Sequence, residues 1–213
     1  GAIGNQYFRY YKLANAEAIT LSGQVSIRWI ENKMNEKINK ILKTKEVDYV
    51  IASDTDSIYL NLGPLVERVY EGREKTNQNV VGFLNKVCEN EFEPFIEGAY
   101  ETLARYLNAY EQKMFMKREN IAERGIWTAK KRYILNVWDS EGVRYDEPKL
   151  KMMGIEAVKS STPAPCRQMI KDGLKIMMSG TEEDVIKFID NSRKEFKKLP
   201  PEDIAFPRTV SDV

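Results

Sequence analysis

The chain has 213 residues, of which 42% are hydrophobic and 31% charged, with a formal net charge of +1. That length is enough for one ample domain, or a domain with a smaller appendage, built around a real core. It contains no histidine, and its two cysteines, Cys88 and Cys166, lie far apart, so Cys/His zinc sites and histidine-activated nucleophiles are excluded; any chemistry must use carboxylates, lysines or metal ions.

The small net charge hides an uneven distribution. Between Lys113 and Arg167 there are 12 Lys/Arg against 7 Asp/Glu, leaving 21 against 25 elsewhere. A basic stretch of this kind reads equally as a surface for an anionic ligand or as a solvated face. There is no signal-peptide pattern and no apolar run near the ~18 residues of a membrane span, so a cytoplasmic protein with reduced thiols is expected, without a membrane partner.

The opening GAIGNQYFRYYKL starts abruptly and is aromatic, which predicts a chain continued from an upstream polypeptide. From Ala14 to Leu42, apolar residues Ile27, Ile30, Met34, Ile38 and Ile41 recur at intervals of three and four and predict a long amphipathic helix. Val47 to Ala52 and Ile58 to Leu62 predict two strands of a β-hairpin, with Ile58, Leu60 and Leu62 on one face and the SDTDS stretch as its connection. A second helical region is predicted from Asn79 to about Tyr110, broken or kinked at Pro94. Strands are predicted at Met114 to Met116, Trp127 to Trp138 and Val143 to Ile155, the last two joined by a turn at Asp139-Ser140-Glu141-Gly142, with Lys130, Lys131 and Arg132 inside that hairpin. Ser160-Ser161-Thr162-Pro163 reads as a helix cap and first-turn proline, Ser179-Gly180 as the helix end, and Thr181 with Asp184 as a capping box opening a helix to about Leu199. The resulting fold class is α+β, an antiparallel sheet packed on helices and followed by a helical appendage.

The chemistry centres on Asp54 and Asp56. Residues two apart in extended backbone point to the same side, although a tight turn spoils that parity. Two hard oxygen donors suit magnesium, which keeps water and substrate phosphates among its ligands. A bare D-x-D is more often a polar turn, and what favours the metal reading is the context, a hairpin tip with a long helix before it and a basic β-hairpin after it. A calcium loop fits worse, because the further oxygen ligands, central glycine and terminal glutamate of an EF-hand are missing after Asp56.

The string DTDSIY between apolar strands resembles motif C of the family B DNA polymerases. KKRY at Lys130-Lys131-Arg132-Tyr133 is similar to that family's lysine-containing K-x-Y motif, and GAIGN to the end of its motif B. The stretches FRYYKLANAEAIT, WTAKKRYILNVWD and EPKLKMMGIEAVKSSTP resemble the replicative polymerases of T-even-like bacteriophages, with weaker likeness across Gly63 to Asn79 and after Arg167.

The resemblance implies a palm domain over residues 1–158, lacking motif A, and the first part of a thumb over 159–213. It implies two magnesium ions, with Asp56 as their bridging ligand, Asp54 as companion and Glu119 as a carboxylate near the site. Two departures accompany it: Lys117 stands where the phage enzymes have an acidic residue, and Ala52-Ser53 precedes the motif where Tyr-Gly is common. Lys130, Lys131, Arg132 and Tyr133 would meet the duplex near the primer end, and Lys159, Ser160, Ser161 and Thr162 would contact DNA where the thumb begins. Trp127 and Trp138 are read as sheet packing. The implied partners are primer–template DNA, a deoxynucleoside triphosphate, the upstream part of the polymerase and, through residues outside this chain, a sliding clamp; the implied location is the host cytoplasm. The implied reaction is nucleotidyl transfer to a primer 3′-hydroxyl, with this chain inactive alone. The rivals are a non-catalytic duplex-binding polymerase remnant and a two-aspartate palm for nucleotide cyclisation or RNA synthesis, the latter leaving KKRY unexplained.

Overall fold

The predicted long helix is present as α1 (Leu13–Leu42) in the computed structural model, which describes residues 1–208. Its buried row is Ser26, Ile30, Met34, Ile38 and Leu42, a strict four-residue repeat. Ile41, expected in the stripe, is exposed, because the row of fours runs to Leu42 instead. The chain divides into two compact units, Gly1–Arg118 and the residues from Glu119 onward.

In the first unit α1 lies behind a two-stranded antiparallel hairpin, β1 (Val50–Asp54) and β2 (Ser57–Leu60). Ile58, Leu60 and Leu62 pack against the core as the alternation predicts. Both strands sit later or shorter than expected, and the connection contracts from SDTDS to Thr55-Asp56 alone. A short helix, α2 (Gly63–Val69), follows where no element is predicted, with Pro64 in its first turn.

The second helical region divides into α3 (Asn77–Val87) and α4 (Glu93–Tyr106), joined by a π-helical turn over Cys88–Phe92. Pro94 therefore does not break the path. It occupies the first turn of α4, where its missing N–H is least needed, and the wider turn before it takes up the altered hydrogen bonding. Phe92, Ile96, Ala99, Tyr100 and Leu103 complete the core against α1, and the indole N–H of Trp29 donates to the Ala99 carbonyl at 3.0 Å. Burial pushes the Cys88 thiol up to about 11, so it stays protonated near neutral pH. The strand predicted at Met114 to Met116 is absent: those residues are irregular, with Met116 packed on the core and Phe115 exposed.

The second unit holds a three-stranded antiparallel sheet, β3 (Asn120–Ala129), β4 (Arg132–Ser140) and β5 (Val143–Met153), in that order. The single strand predicted from Trp127 to Trp138 is thus two strands, and Lys130-Lys131 is the turn between them. The turn before β5 is Glu141-Gly142, both at positive φ, 52° and 88°, as a two-residue hairpin of matching twist requires. Asp139 is buried beside it, where its carboxylate accepts the Gly142 N–H at 3.0 Å.

Helix α5 (Ala164–Ser179) covers the sheet through Met178, Ile170 and Leu174, which pack with Ile134, Ile155 and Ala157. It begins later than expected: Pro163 is the N-cap and Pro165 the first-turn proline, so Ser160, Ser161 and Thr162 precede the helix instead of capping it. The capping box of α6 (Glu182–Phe196) forms as predicted, with Thr181 Oγ1 accepting the Asp184 N–H and Asp184 accepting the Thr181 N–H. A single turn, α7 (Pro201–Ile204), follows. The architecture is α+β with two small antiparallel sheets, and no helix among the described residues is long and apolar enough to cross a membrane.

Candidate functional site

Asp54 and Asp56 share one hairpin tip. Asp54 is the last residue of β1, half-buried and opposite Ser57, whereas Asp56 is the exposed second residue of the turn. One oxygen of Asp54 accepts the Thr55 N–H at 2.8 Å and lies 3.2 Å from the Thr55 hydroxyl, a local bond of the kind that stabilises aspartate in turns. That bond matches the polar-turn reading of Asp54.

The hairpin is aimed by two residues that sequence reasoning passed over. Asn35 and Asn39, one helical turn apart on α1, replace a strand partner for residues 47–50. Asn35 Oδ1 accepts the N–H groups of Tyr49 and Val50 at 2.8 and 3.1 Å, and its amide donates to Asp48 at 2.7 Å. Asn39 brackets Val47, donating to its carbonyl at 2.7 Å and accepting its N–H at 3.1 Å. The available signal was a pair of amides at i and i+4 beside an apolar stripe, directly before the hairpin. Replacing Asn35 with alanine should cost about 2 kcal/mol in urea unfolding, because the amide of the buried Tyr49 loses its acceptor. A loss indistinguishable from zero would show that the side chain does not anchor this segment.

The residues fit magnesium as part of a site. Asp54 and Asp56 offer hard oxygens beside open solvent, which suits an ion that retains water and phosphate ligands. They do not complete one: among the described residues no group of three or more Asp, Glu, Cys or His side chains could hold a metal ion. Glu119, the third expected ligand, belongs to the other unit and its carboxylate bonds the Lys151 ammonium at 2.7 Å. That bond holds Glu119 below the usual carboxylate range, and a metal would have to displace it.

The second group of expected residues also rides a hairpin tip. Lys130 and Lys131 form the turn between β3 and β4, both exposed, with Lys131 at φ 60°. Arg132 and Tyr133 open β4; the Tyr133 ring lies 6.4 Å from that of Trp127 across the strand pair, consistent with sheet packing for Trp127. Gly154, just past β5, touches the tip: its φ is 67°, and a Cβ there would stand 2.4 Å from the Lys131 carbonyl oxygen. Lys159 is tied to Arg132 through Glu156, which lies 2.7 Å from the Arg132 guanidinium and 3.1 Å from the Lys159 ammonium. Ser160 and Ser161 are exposed, and Thr162 is buried. Trp138 donates its indole N–H to Glu123 at 2.8 Å, a cross-strand contact in keeping with a packing role.

No protein-family model matches the chain. Over its whole length it is 40% identical to part of the DNA-directed DNA polymerase of Enterobacteria phage T4, in an alignment of 221 residues covering 25% of that protein. Over 85% of its length it is 43% identical to the DNA-directed DNA polymerase of Escherichia phage RB69, in 190 residues covering 21% of that protein. The chain spans about a quarter of the length of the curated relatives it matches. It is a homologue of one segment of the family B DNA polymerases of these phages.

Proposed function

We propose that residues 1–158 form a polymerase palm segment and residues 159–213 the first part of a thumb, the last five, 209–213, lying outside the described residues. The intact enzyme would add deoxynucleotides to a primer 3′-hydroxyl on a DNA template, in the host cytoplasm, with a sliding clamp reached through residues outside this chain. One observation carries this reading: two carboxylates sit on a hairpin tip in a chain 40% identical over its full length to a phage DNA polymerase.

Asp54 and Asp56, with a carboxylate from outside this chain, would hold two magnesium ions. Bound there, magnesium supplies activation of the attacking oxygen and neutralisation of phosphate charge. The chain's own part is positional. The α1 amides and the β1–β2 core contacts hold the strands that carry the two aspartates, which would limit the reorganisation needed as charge develops. On the second tip, Lys130, Lys131 and Arg132 would neutralise phosphates or reach the minor groove, contacts largely indifferent to sequence and so suited to copying any template. Ser160 and Ser161 would add hydroxyl contacts where the thumb begins, whereas Thr162 would act through its neighbours.

The test is a chimera in which this chain replaces the aligned segment of the phage T4 enzyme. Magnesium-dependent primer extension is expected from the chimera and none from the isolated chain. The exposed lysines of the β3–β4 tip, beside a carboxylate pair that does not complete a metal site, also suit a non-catalytic duplex-binding remnant. A folded chimera that binds primer–template without extending it would favour that reading, and extension by the isolated chain would refute the partial-site account.

A further inference from the structure

Two of the cations expected to meet DNA already have an anion between them. Arg132 opens β4 at the basic tip, and Lys159 stands just before α5, yet both converge on Glu156 in the 3-10 turn over Glu156–Val158. The Glu156 carboxylate uses one oxygen for each, at 2.7 and 3.1 Å, as a bridging phosphate would. All three side chains are part-exposed, with relative exposures of 37%, 45% and 44% for Arg132, Lys159 and Glu156, so a duplex can approach them. Hydrogen bonds from Arg132, from its own backbone N–H and from Lys159 hold Glu156 down to about 2, so it stays charged throughout the range in which DNA is handled.

We propose that Glu156 is a built-in counter-anion of the basic hairpin, holding Arg132 and Lys159 in the free protein and yielding them to duplex phosphate on binding. The inference rests on the duplex-binding reading of the Lys130-Lys131 tip. Its physical basis is exchange. Phosphates that recruit Arg132 and Lys159 must displace a carboxylate from the same cations, so part of the attraction is cancelled before contact. A surface that has to release one phosphate and take the next as a duplex advances needs such a shallow grip. Glu156 is a positioning residue here, since it acts through the two cations and touches no reacting atom.

The test follows the binding of a short duplex by the full chain, by fluorescence anisotropy across a salt series. Glu156→Gln keeps the shape and removes the charge. It should bind about three- to ten-fold tighter at low salt, with a log–log salt slope steeper by roughly one, and the gap should close as salt rises. A purely structural bridge predicts the reverse, weaker binding with an unchanged slope, and that result overturns the proposal. In the same series Lys159→Met should weaken binding more in the Glu156→Gln background than in the wild type; equal losses also count against it. A measurement needing no variant completes the set: the Arg132 side-chain N–H signals of the wild-type protein should shift in NMR spectra when duplex is added, and unmoved signals overturn the hand-over. If the wild type shows no salt-sensitive binding and Lys130→Ala and Lys131→Ala change nothing, the duplex-binding reading itself fails. Wild-type binding with an indistinguishable Glu156→Gln removes only the counter-anion.

Discussion

Asp56→Asn should abolish primer extension by the chimera, lowering it by about a thousand-fold or more, while the chain's unfolding midpoint hardly moves. The two halves of that expectation have separate causes. Asp56 is an exposed residue in a two-residue turn, so replacing its charge removes no core contact. Its proposed role as a bridging metal ligand, by contrast, depends on the charge that asparagine lacks. Asp54→Asn should be milder for catalysis but more visible in stability, because Asp54 is half-buried and its oxygen accepts the Thr55 N–H and stands beside the Thr55 hydroxyl. Primer-extension rates and urea midpoints on the same variants separate these effects. An Asp56→Asn chimera that extends primers at the parent rate would remove the carboxylate tip from the chemistry.

The parts of the fold that were legible in the sequence are those written in local periodicity. The amphipathic spacing of Ile30, Met34 and Ile38 on α1, the alternation of Ile58, Leu60 and Leu62, and the Thr181–Asp184 capping box each declare themselves within a few residues. The Lys130-Lys131 turn was not legible because it carries no glycine, asparagine or proline: Lys131 adopts φ 60° without the usual turn residue, so TAKKRY reads as unbroken strand. Pro94 marked where the helical region divides but not the form of the division. A proline normally ends a helix, and nothing in CENEFEP announces the π-helical turn that lets the helical path continue.

The candidate site shows the same division. Asp54 and Asp56 lie two residues apart, so that a shared hairpin tip follows from local sequence alone. Asn35 and Glu156 act at a distance, the first on backbone 14 and 15 positions away and the second on Arg132, 24 positions away. Local pattern marks the amide pair on α1 as a feature but encodes neither residue's partner. Both residues hold another group in place, a task any polar side chain of the right reach can perform, so residue type alone does not mark them. Carboxylates with a ligand's spacing are recognisable because metal chemistry restricts which residues serve.

Gly154 is the exception, a distant contact with a local mark, and valine there should lower stability by about 3 kcal/mol or more and weaken duplex binding together. Two penalties combine at this position. The backbone at φ 67° is poorly tolerated by any branched side chain. The added Cβ would also stand 2.4 Å from the Lys131 carbonyl oxygen and 3.1 Å from Arg132 Cγ, and the nearer atom is backbone, which cannot rotate away. The tip must therefore move, carrying the lysines proposed to meet DNA. Gly72 is the internal control: its φ is 71°, and nothing lies within 4 Å of an added Cβ. Gly72→Val should show only the dihedral penalty, roughly 1–2 kcal/mol, and leave duplex affinity unchanged. Equal losses at the two glycines would mean that the contact between Gly154 and the basic tip contributes nothing, and that Lys131 is placed by the β3–β4 turn alone.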